Sequence, residues 1–421
     1  MAHVIKTDEE AVEVARELAR GFAEGAARRD AERILPAAEV EALSESGLLG
    51  ITVPAEHGGA GVRTATLGAV IRELSAADGS IGQIPQNHFW YVDCLREFGT
   101  EEQQAFFYRE VLAGRRLGNA AVDARGPGGE RERATLRPHE DGYLVSGRKI
   151  YSTGALFAHW VPVAALGESG PAGGSTAGGS TDGGTSGGET YTVAFVPRES
   201  PGLTVVDDWD GFGQRTTASG TVLLDDVFVP AAHVMRVRRD GGGTFRSFGL
   251  LIHAAIDTGI AEGALADAAA FLRGYLRGGY GSVGANGGPP GGLVEKVVED
   301  PVVVQRFGEL AVLTRAARAL LESAGDAVDR ARAALPEDFE HLADEAAVAM
   351  AAARAQADRA ANRVTGEWFE LAGASAVRGP LNLDRHWRNA RTHTVHDPRR
   401  AKVHDVGNYH LNGIAPRSLT R

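Results

Sequence analysis

Apolar positions along this chain follow three different rhythms. From residue 8 to about 115 they return with helical spacing, as at Ala11, Val14, Ala15 and Leu18 and again at Ile71 and Leu74, which predicts a set of helices. Gly50, Pro54, Gly58, Gly59 and Gly61 break that region and predict a turn between helices. Between about 117 and 230 the pattern shortens. Segments 143–147, 161–163, 191–196 and 221–224 are rich in β-branched and aromatic residues and are separated by turn signals, which predicts strands. From Gly249 the long rhythm returns over 254–273, 302–334 and 340–372, now rich in Ala and Leu, and predicts long helices. The expectation is an α+β chain: helical over 1–116, a β-barrel or sandwich over 117–240, and a four-helix bundle with a tail over 241–421. Segments 167–188 and 278–292 are rich in Gly and other small residues. They hold too little apolar surface to offset an ordering entropy of ~1–2 kcal/mol per residue, so they are expected to be flexible loops.

Charge and cysteine content narrow the classes. The 55 acidic residues exceed the 44 basic ones, leaving a net charge of −11, which on average repels nucleic acid. No run reaches the roughly 18 apolar residues of a membrane span, so no span is expected. The first ten residues are polar and acidic, unlike a secretory leader. Cys94 is the single cysteine, so no internal disulfide can form, and a cytoplasmic setting is expected.

The chemistry concentrates in the segment from Trp387 to Pro398, which contains Arg388, Asn389, His393, His396 and Asp397. It resembles the active-site segment of the acyl-CoA dehydrogenases, where Arg-Asp-Ala-Lys is followed five residues later by a catalytic Glu and a Gly. Asp397-Pro398 stands here in place of that Glu-Gly. Asp is one methylene shorter, which withdraws a carboxylate by roughly 1.5 Å, while a base must come within about 3 Å of the proton it removes. Two histidines occupy the segment instead. That pattern resembles the flavin-dependent monooxygenases built on the acyl-CoA dehydrogenase fold, above all the branch of dibenzothiophene monooxygenase and the sulfur-acquisition oxidoreductases. Three further stretches carry the same resemblance: the turn from Leu48 to Gly61, the strand end Gly147 to Gly154, and the loop from Trp209 to Gly220 leading to Asp225-Asp226-Val227-Phe228-Val229-Pro230.

The resemblance implies roles residue by residue. His88 and His396 face the flavin from two domains and manage protons; Asn119 and Ser152 complete the catalytic set. Asn119, Tyr151, Ser152, Thr153, Arg388, Asn389 and His393 bind the cofactor. Arg215 anchors its loop by a salt bridge, and Ser219 is structural. The dehydrogenase motif that holds the adenosine half of FAD is replaced here by residues 369–375, with glycines lost, which favours FMN over FAD. No dinucleotide fingerprint is present, so the expected flavin is FMNH2 supplied by a separate reductase. With O2 it would form a C4a-hydroperoxide that oxygenates a small organosulfur compound, in a homotetramer. His393 and His396 stand three apart, a spacing that on a helix puts them on one face. No carboxylate-bearing metal motif accompanies them, and no metal is expected. Three other readings stay open at this point: an acyl-CoA dehydrogenase with FAD and Asp397 as base, an amine N-hydroxylase, and a non-enzymatic oligomeric scaffold.

Overall fold

The helical, β, helical order is present in the computed structural model, which describes residues 2–126, 128–167, 190–238, 243–274 and 297–416. Of the expected loops, 278–292 lies outside these residues, as does 167–188 apart from Gly167, which ends a strand. Six helices come first: α1 (Asp8–Glu32), α2 (Ala37–Glu45), α3 (Thr64–Ala77), α4 (Gly79–Gln83), α5 (Gln86–Phe98) and α6 (Glu101–Leu112). Side-chain oxygens satisfy the free amides at several of their starts: Thr7 caps α1, Asp78 caps α4, and Thr100 with Gln103 forms a reciprocal capping box on α6.

Eight strands follow: β1 (Val122–Asp123), β2 (Thr135–His139), β3 (Gly142–Ile150), β4 (Trp160–Gly167), β5 (Thr190–Pro197), β6 (Leu203–Val206), β7 (Thr221–Pro230) and β8 (Val234–Arg238). They form one sheet in the order β6-β7-β3-β2-β4-β5-β8, with β1 also on β3. All pairs are antiparallel except β2 with β4. Along β7 the buried set shifts phase, from Val222 and Leu224 to Val227 and Val229. A register shift against β3 between Val145 and Gly147, with Asp226 at φ +45°, lets one strand keep both halves facing the core.

The last third holds three long helices, α7 (Phe245–Gly274), α8 (Pro301–Arg332) and α9 (Pro336–Glu367), then the short α10 (Phe369–Ala372), α11 (Arg385–Thr394) and α12 (Arg399–Asn412). A fourth long helix is absent from the described residues. α3 closes the bundle instead: Leu67, Val70, Ile71 and Leu74 join Leu251, Ile252 and Ile256 of α7, Ala324 of α8 and Ala353 and Ala357 of α9 in one core. The alanines let the backbones approach closely, so the first and last thirds share a single hydrophobic interior. A second, aromatic cluster of Tyr91, Phe107, Tyr108, Trp160, Phe195 and Phe245 fastens α5 and α6 to the sheet and to the start of α7.

α7 bears on the membrane expectation. By length and composition it is apolar enough to cross a bilayer, but 78% of that apolar window is buried inside the protein. It is the central helix of the shared core, and two of its polar residues, His253 and Asp257, belong to the site described next.

Candidate active site

The strand end 150–154 is built to present hydroxyl groups. Tyr151 takes a left-handed turn at φ +55°, and its carbonyl accepts from Asn119 Nδ2 at 3.3 Å. Asn119 Oδ1 in turn accepts from the Tyr91 hydroxyl of α5 at 3.3 Å. Beyond the turn, Thr153 Oγ1, Ser219 Oγ and Thr217 Oγ1 stand 2.7 Å apart in a chain that ends on the Gln214 carbonyl at 3.0 Å. A carbonyl only accepts, so Thr217 donates to it, Ser219 donates to Thr217, and Thr153 donates to Ser219. Thr153 is left with accepting capacity only. Ser152 is buried, and its Oγ has no hydrogen-bond partner among the described residues.

The loop 207–220 lies beside that turn and is held from below by α11. Asn389 Oδ1 accepts from the Gln214 amide at 2.7 Å. Arg388 bonds the Phe212 carbonyl at 3.2 Å while pairing with Asp30 at 2.6 Å, Asp384 at 2.8 Å and Asn382 at 2.7 Å. Gly213 presses directly on α11; a Cβ there would fall 1.9 Å from the Arg388 carbonyl oxygen, so only glycine permits the contact. These contacts bear on three expectations. Arg388 and the Asn389 side-chain oxygen bond to their own chain and hold the loop 207–220 in place. Arg215 forms no ion pair among the described residues, so the anchoring expected of it falls to Arg388.

His88 is the second correction. It is 1% exposed on α5, the Leu117 amide donates to its Nδ1 at 3.1 Å, and its Nε2 meets the Leu49 carbonyl at 2.9 Å. Nδ1 must therefore be bare and Nε2 protonated. Burial lowers its pKa to about 4, against a smaller opposing effect of the Leu49 carbonyl. Both nitrogens are committed to backbone, which leaves none for a substrate or a flavin.

His393, expected to bind the cofactor, meets a carboxylate and a second imidazole. It is 2% exposed, and its Nδ1 lies 2.6 Å from Asp257 Oδ1 while its Nε2 lies 3.0 Å from Nδ1 of His253. Asp257 also pairs with Arg354 of α9, both essentially inaccessible. Burial alone would raise the Asp257 pKa, but the charges of Arg354 and His393 outweigh it and hold the carboxyl below its ordinary value. His396 does not continue the helix, since α11 stops at Thr394; the turn that follows still stacks its ring on His253, with centroids 4.8 Å apart and planes at 21°. Solvent reaches His396, yet the protein around it and the charges of His393 and Arg354 favour the neutral ring. Burial, with His396, His393 and Arg354, pushes the His253 pKa well down. Asp397 is ion-paired with Lys402 at 3.1 Å.

Four site residues thus gather at one turn (Asn119, Tyr151, Ser152 and Thr153), while His393 and His396 meet at a second cluster. Asn389 and His393 are four apart on α11 and share a face, so one helix carries the loop anchor and the histidine cluster. Trp90 of α5 lies against Gly249, one turn before His253 on α7. His253, Asp257 and Arg354 were missed in the sequence. Their signal was legible: 253 and 257 are the i, i+4 polar pair in an apolar helix, and Arg354 interrupts an alanine-rich one. Among the described residues no three His, Cys, Asp or Glu side chains are grouped as metal ligands. The orphaned polar atoms fit an organic cofactor better. Besides Ser152 Oγ, both amide atoms of Gln214 and Arg215 Nε are buried without hydrogen-bond partners, all beside the same turn.

The comparisons agree with that geometry. Residues 6–115 match the acyl-CoA dehydrogenase N-terminal domain and residues 251–398 the acyl-CoA dehydrogenase C-terminal domain. Dibenzothiophene monooxygenase of Rhodococcus qingshengii is 31% identical, over 97% of this chain and 95% of its own. A probable FMNH2-dependent monooxygenase of Pseudomonas putida, SfnC, is 30% identical over 96% of each. The crystal structure of FMN-bound TdsC from Paenibacillus sp. A11-2 superposes with a TM-score of 0.82 at 30% identity, covering 97% of this chain and 98% of the other.

Proposed function

We infer that this protein, which belongs to the acyl-CoA dehydrogenase family and to its flavin-dependent monooxygenase branch, uses reduced FMN and O2 to oxygenate a small organosulfur compound. The observation that carries the reading is the turn at 150–154. There an unpartnered buried hydroxyl, an accepting-only Thr153 and a braced Asn119 converge beside a loop with orphaned polar atoms. Bound reduced FMN would supply the electrons that activate O2 and carry one oxygen atom to the substrate, the other leaving as water.

The chain's own residues do the rest. Thr153 accepts a hydrogen bond from a donor at the flavin edge, and Ser152 and Asn119 satisfy neighbouring polar atoms. Tyr151, Phe212 and Trp387 are exposed aromatics around the turn and the loop, and they suit a planar ring. His396, with the imidazole stacked on it, handles protons at the reacting centre. The Asp397–Lys402 ion pair weighs against the dehydrogenase reading.

With no nicotinamide fingerprint in the sequence, a separate reductase delivers the flavin. The exposed Val302, Val304, Val312 and Leu320 on α8 and Val403 and Leu411 on α12 support a homotetramer that covers them. The single buried Cys94 supports a cytoplasmic setting. The test supplies FMNH2 from a generic reductase and offers small sulfides, sulfinates and thiophenes. Oxygenated product in place of hydrogen peroxide supports the reading. Bleaching of tightly held FAD by an acyl-CoA would replace it with the dehydrogenase.

A further inference from the structure

We propose that Asp257, His393 and His253 form a one-proton relay, buried at the Arg354 end and open at His253, that charges and discharges the histidine pair of the active site. This inference rests on the monooxygenase reading. Its resting hydrogen-bond order follows from the carboxylate once His393 is in its neutral form. Asp257 is a carboxylate and only accepts, so His393 Nδ1 carries a hydrogen and donates to it at 2.6 Å. In the neutral ring His393 Nε2 is then bare, so His253 Nδ1 must donate to it across 3.0 Å. His253 Nε2 is left with a free lone pair, and no described residue bonds to it. His396 lies flat against the same ring. Burying this polar set costs desolvation, and apolar residues of like volume are often at least as stable in such places. What the set provides is direction: every hydrogen along it is ordered by one carboxylate.

The transfer balances simply. A proton taken up at His253 Nε2 releases the Nδ1 hydrogen to His393 Nε2. His393 then holds two hydrogens as an imidazolium against Asp257, whose remaining oxygen stays paired with Arg354. Delivery is the reverse, with only N–H bonds made and broken. The charges around the relay set its slope. Arg354 from α9, His396 from the turn after α11 and Lys402 from α12 disfavour charge on His253. Asp257 from α7 and Asp397 from that turn favour charge on His396. Asp358 on α9 is balanced by Arg354, Arg399 and Arg391, and Arg246 at the start of α7 faces Asp405 and Asp397. A proton arriving at His253 is therefore driven inward to His393, the one imidazole of this cluster that hydrogen-bonds a carboxylate. His253, His393 and Asp257 act as positioning residues for His396 and the reacting centre.

The experiment is nitrogen-detected NMR of full-length protein labelled in its histidine rings, read with and without FMN. The expected spectrum has a strongly deshielded His393 Nδ1 hydrogen and an Nδ1–H tautomer at His253. Asp257→Asn removes the first signal, and His253→Phe removes the second while keeping the aromatic stack and the Arg354–Asp257 pair. Nε2–H tautomers on both rings of the wild type, or an Asp257→Asn spectrum unchanged from it, overturn the relay. In turnover with reductase and FMNH2, His253→Phe should bind FMN normally by fluorescence quenching. Its ratio of oxygenated product to hydrogen peroxide should fall at least about tenfold, and the Asp257→Asn pH profile should move to acid by about one unit or more. His253→Phe stays informative if Asp257→Asn fails to fold; an unchanged ratio contradicts the relay. A wild type that orders its histidines as described but makes no oxygenated product keeps the relay and removes the monooxygenase reading. A productive wild type with the wrong tautomers does the opposite.

Discussion

Two buried histidine environments in this protein look alike by burial and differ in where their second nitrogen leads. His88 is closed: one nitrogen accepts from the Leu117 amide and the other donates to the Leu49 carbonyl, so the ring is a fixed strut between α5 and its neighbours. His393 is open: one nitrogen rests on Asp257 and the other hands on to His253, beyond which lies the stacked His396. Backbone groups cannot change protonation state, whereas carboxylates and imidazoles can. Burial therefore makes a histidine rigid in both places, but only the second ring has anywhere to send a proton.

The largest break in this contrast comes from the buried ion pair. Arg354→Ala leaves Asp257 uncompensated at a site with no solvent access and should cost about 3–5 kcal/mol in urea unfolding. The pair, not the histidines, carries most of the local stability risk.

Acid sharpens the comparison next. The folded pKa of His88, about 4, lies below its ordinary value of 6.5, so the unfolded chain takes up the proton first. Its contribution is fully present above the unfolded value and is lost as pH falls from there toward the folded one, in all about 3 kcal/mol. His253 is shifted the same way and adds to the loss. Between pH 7 and pH 5 the wild type should lose about 2 kcal/mol through His88, and His88→Gln should flatten that slope in unfolding titrations.

A smaller effect separates supports from ligands. Asn389→Ala strands the Gln214 amide and should cost about 1–3 kcal/mol, with FMN affinity falling because the loop above α11 loosens. Ser152→Ala removes a hydroxyl that bonds nothing in the protein, so stability should stay within about 0.5 kcal/mol. FMN affinity should nonetheless fall, readable by fluorescence titration. A large stability loss there would mean that Ser152 packs rather than binds.

The layout was legible because helix and strand periods differ so plainly between 8–115, 117–230 and the region after 249. The place of Tyr151, Ser152 and Thr153 at a strand end was also legible, since the chain must reverse there. Three things were not. Periodicity shows that α7 has a buried face but not that α3 supplies the missing wall of the bundle, because that contact joins residues far apart in sequence. Arg388 looks like a ligand donor until Asp30, over 350 residues away, is seen to hold it. His88 and His393 are equally plausible catalytic groups on paper, and only the identity of the atom facing each ring nitrogen separates them. His253 and Asp257 were the available clue, since nothing in helix packing asks for a His and an Asp four apart within the apolar run of α7.

The measurement that bears most directly on this account is the fate of oxygen in protein loaded with FMNH2 and mixed with O2 and a small organosulfide. It compares oxygenated product with hydrogen peroxide in the wild type, His88→Gln and His253→Phe. The account predicts mainly oxygenated product from the wild type and, where it is folded, from His88→Gln, with His253→Phe diverted to peroxide. Peroxide alone from the wild type, or diversion by His88→Gln while His253→Phe stays productive, would contradict it.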